Sequence, residues 1–369
     1  MAKSKRVVGY AVVGLGHIAQ SAVLPAFAKS KRAKLVALVS SDREKLDSLG
    51  EHYGVEHRFS YDDFERCLEL PEVEAVYIAL PNDKHLEFTE RAAKGGKHVL
   101  CEKPMEIESA RCEQMIRACE DAKVKLMIAY RLHFEPANLH AVKLAREGEL
   151  GDLKFFSSDF SFQVKEGDIR TQHERGGGVV WDIGIYCVNA ARYLFADEPE
   201  EVVAFATQGK ETRFGEIEET VSCILRFPEQ RLATFNVSFG AAPTSQFRLV
   251  GSKGSLQLED AYEYVGGKRM LITVDEQTRK KSFRAVDQFA AELDEFARCV
   301  TTRKDPEPNA REGLIDVKII EAIYESIETG RPIRLSLPRR ERRPDPENAY
   351  ERPAQKGEPF MVDVEAPSH

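Results

Sequence analysis

A short apolar run, Val7-Val8-Gly9-Tyr10-Ala11-Val12-Val13, ends in Gly14-Leu15-Gly16-His17-Ile18-Ala19, and a helix-compatible segment from Gln20 to Ala28 follows at once. This order constrains the fold more than any other feature of the chain. Strand, tight glycine turn and helix together open a strand–helix–strand unit whose turn can take the pyrophosphate of a dinucleotide. Gly14 permits the sharp turn, Gly16 lets phosphate approach the backbone, and Ala19 lets the helix pack close to the strand. Free N–H groups at the helix start, together with the helix dipole, favour the negative charge. A competing reading is a signal peptide, because Lys3, Lys5 and Arg6 precede the run and Ala26-Phe27-Ala28 is similar to a cleavage site. Two glycines, His17 and Gln20 interrupt the apolar stretch and weigh against it.

A chain of 369 residues accommodates about two domains. With 42% apolar and 31% charged residues it has the make-up of a soluble globular protein with a real core. A net charge of −8 argues against a surface made for nucleic acid. No apolar run approaches the ~18–20 residues that span a bilayer, so no membrane partner is expected. Seven scattered cysteines, with no Cys-x-x-Cys pair, predict reduced thiols in a cytoplasmic protein. The nine histidines lack ligand spacing, so no metal is expected.

Lys34–Val39 reads as the second strand, and the residues at its end discriminate between nicotinamide cofactors. An acid there bonds the ribose 2′-hydroxyl of NAD, whereas NADP needs hydrogen-bond donors and positive charge for its 2′-phosphate. Here the chain reads Ser40-Ser41-Asp42-Arg43. The two serines can donate and the arginine fork can meet phosphate, which favours NADP over NAD. Asp42 is the counter-indication, and an ordinary solvated helix face is the plain alternative for Arg43 and Lys45.

Val73–Leu80 is a further buried strand that stops at Pro81-Asn82-Asp83-Lys84-His85. Polar groups just past a strand's carboxyl end lie at the ligand crevice of an open parallel sheet. Asn82 and His85 are therefore candidates for the cofactor rim, with capping or packing as the equal alternative for the histidine. Helices are expected over Glu87–Gly95 and Ser109–Ala122. Lys97–Cys101 ends in Glu102-Lys103-Pro104, which directs a lysine at the crevice. Lys125–Ala129 leads into Tyr130-Arg131-Leu132-His133, where the strand–helix alternation stops.

From there the pattern changes. A helix over Pro136–Glu147 is followed by strand-like stretches at Leu153–Phe162, Glu201–Thr207, Thr220–Phe227, Arg231–Phe239, Gln246–Val250, Ser255–Leu258 and Met270–Val274. Their alternation predicts an antiparallel sheet with one face solvated or covered by a partner. Two late helices, Ala285–Thr301 and Arg311–Thr329, complete this layer. Arg339-Arg340-Glu341-Arg342-Arg343 reads as a solvated extended tail. The expected organisation is an α/β dinucleotide-binding domain with a parallel sheet over 1–130, an α+β domain with a large open, mainly antiparallel sheet over 131–335, and a tail over 336–369.

Gly176-Gly177-Gly178 gives way to a helix with Asp182 and Tyr186 four residues apart, one turn from each other on one face. A phenol ordinarily titrates near ~10. A neighbouring ammonium lowers that value, and Lys103 could supply it across the crevice. Asp182 could hold a substrate hydroxyl or orient the lysine. The plain alternative is a buried helix whose tyrosine only packs.

These residues together resemble the glucose–fructose oxidoreductase / inositol dehydrogenase (Gfo/Idh/MocA) family of NAD(P)-dependent oxidoreductases, over residues 6 to 335. The resemblance is carried by Tyr10-Ala11-Val12-Val13-Gly14-Leu15-Gly16, Leu80-Pro81-Asn82-x-x-His85, Cys101-Glu102-Lys103-Pro104-Met105, Tyr130-Arg131-x-His133, and Gly176 to Tyr186 with Arg192-Tyr193-Leu194. Many members have His where this chain has Tyr186. Tyr there is similar to the glucose–fructose oxidoreductase and aldose oxidoreductase branch. The resemblance implies a Rossmann fold, Lys103, Asp182 and Tyr186 as the catalytic group, and NADP as cofactor. The candidate cofactor contacts are Gly14, Gly16, His17, Ile18, Ser40, Ser41, Arg43, Leu80, Asn82, His85, Glu102, Lys103 and Arg131.

The family also implies a homodimer or homotetramer formed through the second-domain sheet. The twin-arginine signal and cofactor-trapping N-terminal arm of glucose–fructose oxidoreductase itself have no counterpart ahead of the first strand, so export and trapping by that arm are not expected. The implied function is hydride transfer between a sugar, an aldose at C1, and NADP, with a ping-pong cycle between two sugars if the cofactor is retained. One alternative is an NADPH-dependent reductase of a dicarbonyl or anhydro sugar with exchanging cofactor. Another is a non-catalytic NADP-binding regulator. Arg131, His133, His173 and Arg175 are further candidates for substrate contacts.

Overall fold

The computed structural model describes residues 6–340 and 343–368. Lys3 and Lys5 of the signal-peptide reading, and Glu341 and Arg342 of the charged tail, lie outside them. The chain forms two compact units, each from three stretches. The first comprises residues up to Arg131, Asp287–Leu314 and Glu351–Ala366; the second comprises Leu132–Val286, Ile315–Tyr350 and the residues from Pro367 on. A single boundary near Tyr130 therefore describes only the first crossing between them.

In the first unit β1 (Val8–Val13), α1 (Leu24–Ala26), β2 (Ala33–Val39), α2 (Arg43–Tyr53), β3 (His57–Phe59), α3 (Phe64–Leu68), β4 (Ala75–Ile78), α4 (His85–Lys94), β5 (His98–Cys101), α5 (Ser109–Asp121) and β6 (Leu126–Ile128) follow in order. The six strands form one parallel sheet in the order β3-β2-β1-β4-β5-β6. Every residue of β1 and β4 is buried, as central strands covered on both faces require. The run once weighed as a signal peptide is thus the middle of the sheet. The helix expected over Gln20–Ala28 opens as a wide π-turn, Ala19–Val23, before α1. Pro25 has no N–H to donate to the preceding turn, which disfavours regular α-helix there.

The second unit contains α6 (Pro136–Arg146), β7 (Leu153–Ser161), α7 (Ile185–Phe195), β8 (Glu201–Thr207), β9 (Thr220–Arg226), β10 (Leu232–Ser238), β11 (Thr244–Gly251), β12 (Gly254–Glu259), β13 (Lys268–Val274) and β14 (Gln277–Phe283). Beyond α8 (Gln288–Thr302), most of α9 (Ala310–Thr329) and β15 (Ile333–Arg334) complete it. Nine strands form a sheet in the order β14-β13-β12-β11-β7-β10-β9-β8-β15. It is antiparallel except where β10 runs parallel to β7. Alternate residues of β9 and β10 are buried, and the other face carries exposed Phe155, Phe205, Ile224 and Leu232. β14 was not expected, because Gln277–Ser282 is polar throughout. Asp275 and Glu276, both with positive φ, make the tight turn that pairs it with β13 without a buried face.

Two elements depart from the expected division. Helix α8 belongs to the first unit, where the Tyr10 hydroxyl donates to Leu293 O at 3.1 Å and the Tyr10 ring packs on Phe296. The tail is anchored at Arg343 and Arg352. Arg343 Nη2 donates to Glu198 Oε1 at 2.7 Å with both side chains 5% exposed. In the first unit Arg352 Nε donates to the buried Asp294 Oδ2 at 2.7 Å. Buried carboxylates demand paired cations, and the tail supplies two of them.

Candidate active site

The register of the first sheet places its candidate residues on one edge. Val13, Val39, Phe59, Ile78, Cys101 and Ile128 pair in a single row across the strands. Gly14, Ser40, Ala79 and Glu102, the next residues of four of these strands, therefore share the carboxyl edge, where open parallel sheets bind ligands. Gly14 has φ +93°, and a Cβ there would meet Ala79 O at 2.4 Å. Gly16 is exposed and a Cβ added to it would meet nothing within 4 Å. Its bare backbone, followed by half-buried His17 and Ile18, suits the close approach of a pyrophosphate.

At the end of β2 the acid is already engaged. Asp42 caps α2 by accepting from Lys45 N at 3.1 Å, and Lys45 Nζ lies 3.4 Å from its other oxygen. The backbone hydrogen bond, foremost, holds this carboxyl below its ordinary value. Its oxygens are thus directed to the helix start, which answers the counter-indication raised by the sequence. Ser40 is buried and its Oγ accepts from Asp42 N at 3.1 Å, so its hydroxyl proton can still be donated. Ser41 is exposed, and Arg43 makes only a surface pair with Asp47 at 2.9 Å.

His85 differs from the expected rim residue. It is fully buried, with Nδ1 2.9 Å from Pro104 O and Nε2 3.0 Å from Leu80 O. Both ring nitrogens face backbone carbonyls, so the histidine ties the loop after β4 to the loop after β5. Leu80 and Asn82 remain half-buried at the edge. Arg131 is buried too, donating from Nη1 to Gln288 Oε1 at 2.5 Å and lying over the Phe289 ring. Glu102 accepts from the Tyr77 hydroxyl at 2.7 Å and its half-buried neighbour Lys103 follows it. The same hydroxyl lies 3.4 Å from Glu292 Oε1, and burial pushes the Glu292 carboxyl well above its ordinary value. Tyr77 and Glu292 thus brace Glu102 from below. The sequence held no signal for this, because Glu292 comes from the late helix α8.

In the second unit Gly178 has φ +133°, and a Cβ there would meet the Tyr324 hydroxyl at 2.6 Å. The chain then makes a π-turn, Val180–Gly184, that runs into α7. Glu218 Oε1 accepts from Val179 N at 2.9 Å and from the Tyr324 hydroxyl at 2.7 Å, fixing where this helix starts. Asp182 sits in the wide turn and Tyr186 in the first turn of α7, both half-buried. The Tyr186 ring packs against Phe160 and Tyr262 at 5.7 and 5.9 Å.

Asp182 also has a partner the sequence did not reveal. Arg170 Nε donates to Asp182 Oδ2 at 2.8 Å, while its Nη1 lies 3.2 Å from Asp168 Oδ1. Burial opposes the guanidinium charge, but the two carboxylates outweigh it and hold the arginine ionised far above its ordinary value. Twelve residues separate Arg170 from Asp182, a spacing with no helical meaning.

The weaker candidates separate. His133 is buried, with Nε2 2.8 Å from Asn189 Oδ1, and Asn189 donates to Asp316 at 2.8 Å. Asp316 also accepts from the fully buried Arg192 at 2.5 Å, so His133 belongs to a structural network. His173 and Arg175 are exposed on a short turn before Gly176.

The family model described as an oxidoreductase family with an NAD-binding Rossmann fold matches residues 8–130, and the GFO/IDH/MocA C-terminal domain matches residues 138–257. The chain belongs to the GFO/IDH/MocA oxidoreductase family. Among similar family members is the NADP-dependent D-xylose 1-dehydrogenase of Haloarcula marismortui, 32% identical over 335 residues, or 89% of this chain and 93% of that one. The crystal structure of aldose–aldose oxidoreductase from Caulobacter crescentus, complexed with glycerol, superposes with a TM-score of 0.87 and 39% identity over 89% of this chain and 100% of that one. A 3-ketoreductase from Actinomadura kijaniata, in complex with NADP and TDP-benzene, follows with a TM-score of 0.79 and 26% identity, covering 87% and 98%. All seven cysteines are buried free thiols. Among the described residues no cluster of ligand side chains could hold a metal ion, and no helix is long and apolar enough to cross a membrane.

Proposed function

We propose that this family member is an NADP-dependent oxidoreductase that interconverts a sugar CH–OH group and its carbonyl, acting on an aldose at C1. The observation that carries the cofactor choice is the β2 corner. Asp42 is committed to capping α2, while Ser40, Ser41 and Arg43 offer donors and charge for a 2′-phosphate. Gly14, Gly16, His17 and Ile18 would hold the pyrophosphate, and Leu80, Asn82, Glu102 and Lys103 would border the nicotinamide. Bound NADP supplies the acceptor or donor of the hydride.

Tyr186 takes the hydroxyl proton of the sugar and returns it in the reverse direction. The Lys103 ammonium polarises the substrate oxygen. Asp182, held by Arg170, orients the sugar hydroxyl and the lysine. The similarity to a D-xylose dehydrogenase and an aldose–aldose oxidoreductase supports an aldose as substrate. The similarity to a ketoreductase keeps carbonyl reduction as the second reading. We further propose self-association as a dimer or tetramer through the sheet face bearing Phe155, Phe205, Ile224 and Leu232, which sedimentation of a Phe205→Glu variant would test. A cytoplasmic location is supported by the seven free thiols.

The test is turnover. Purified protein with NADP and a panel of aldoses should develop the absorbance band of reduced nicotinamide with at least one sugar. Tyr186→Phe should lower kcat by about 10²–10⁴ while still binding NADPH. Cofactor binding without turnover of any sugar or carbonyl would refute the reading and favour a regulator.

A further inference from the structure

The tail beyond Glu351 has no part in the chemistry above, yet it is built into the first unit. Arg352 anchors it through the buried Asp294, and Asp287 N donates to Arg352 O at 2.9 Å. Eight residues later the Phe360 ring stacks on His52, with centroids 4.2 Å apart and planes 9° from parallel. Asp363 then lies 3.9 Å from Lys45 Nζ. His52 is in the last turn of α2 and Lys45 in its first, seven residues apart and so on one helix face. The segment therefore runs along α2 toward its N-terminus, which is the carboxyl edge of the sheet.

At that edge it meets the glycine turn. Val362 N donates to Gln20 Oε1 at 2.7 Å, and Gln20 Nε2 donates back to Val362 O at 3.1 Å. The same Nε2 donates to Leu15 O at 2.7 Å. Leu15 stands between Gly14 and Gly16, and Gln20 is fully buried. One carboxamide thus ties the turn that receives the pyrophosphate to the tail, across 342 residues of sequence. The adenosine half of a dinucleotide lies between this turn and the start of α2. The tail touches both.

We infer that residues 360–363 form a wall of the nucleotide site and act as a clasp that slows release of the bound nicotinamide dinucleotide. The inference rests on the proposed binding of NADP at the Gly14–Gly16 turn. A retained cofactor serves a cycle in which one sugar is oxidised and a second is reduced.

The experiment measures NADPH release by stopped-flow fluorescence, with excess NADP as displacing ligand. Three full-length or near-full-length proteins are compared: the intact chain, Val362→Pro, and a chain ending after Glu358. Val362→Pro removes the N–H that reaches Gln20 and should release NADPH about tenfold faster. The shortened chain should release it faster still. Thermal unfolding without nucleotide checks that each variant is folded, and if the shortened chain does not fold, Val362→Pro alone decides. Hydrogen exchange adds a second readout, since NADP should protect the Val362 amide in the intact chain. Release within twofold of the intact protein from a folded variant would overturn the clasp and leave the cofactor assignment standing. Failure of the intact chain to bind NADPH would overturn both.

Discussion

Replacing Arg170 by Leu should impair catalysis without unfolding the protein. The arginine is the link between Asp168 and Asp182, donating to the latter at 2.8 Å. Side-chain exposures of 26% and 21% place the Arg170–Asp182 pair in a partly dry setting. A charge-assisted hydrogen bond in such a place contributes about 1.5–3 kcal/mol. Leucine removes it and lets the Asp182 carboxylate turn away. If that whole term acts in the transition state, kcat/KM falls roughly 10- to 100-fold. Arg170→Lys keeps the charge but not the planar fork that spans two carboxylates, so its loss should be intermediate. Steady-state kinetics with NADP and a turned-over aldose measure the effect, with thermal unfolding and NADPH binding as controls. A folded Arg170→Leu protein with kcat/KM within twofold of the parent would refute the positioning role. A loss confined to KM would also refute it, placing Arg170 against the sugar instead.

Three further outcomes follow from particular contacts. Gly16→Ala should leave the melting temperature unchanged while weakening NADPH binding, because its Cβ meets only open space; Gly14→Ala should lower stability, because its Cβ would strike Ala79 O at 2.4 Å. Calorimetry and fluorescence titration separate the two. Burial raises the Glu218 carboxyl above its ordinary 4.5, so the folded state holds its proton to higher pH than the unfolded chain does. Stability should then fall as pH rises from about 4.5 through the raised value, and Glu218→Gln, which keeps the acceptor oxygen, should flatten that slope in urea titrations. Arg192→Met removes the buried cation that Asp316 and Glu198 share, and should destabilise by about 3–5 kcal/mol in urea unfolding.

The contrast between what was legible and what was not follows the range of the interactions. The turn at Gly14–Gly16, the row of buried parallel strands and the alternating strands of the second unit were all readable. Each is set by sterics or periodicity within a few residues. The catalytic candidates Lys103, Asp182 and Tyr186 stood out for the same reason, as each follows a local motif. His85 was left open between rim and packing, because a strand-end position cannot tell a ring facing the crevice from one clamped between Leu80 O and Pro104 O. β14 was missed because Gln277–Ser282 are polar and exposed, which leaves no apolar alternation to read.

By itself, the sequence determined the fold class, the two kinds of sheet and the family, and it named the residues proposed to carry the chemistry. Only the tertiary structure decided that α8 and Glu351–Ala366 return to the first unit, that Arg170 holds Asp182, that Asp42 serves the start of α2, and that Gln20 joins Leu15 to Val362. The physical reason is that a buried polar or charged group must find a partner, and the chain leaves the choice of partner to packing. Asp294 is matched by Arg352 at a separation of 58 residues, and Gln20 by Val362 at 342. No local pattern encodes such pairs, because they exist only once the elements between them have been placed.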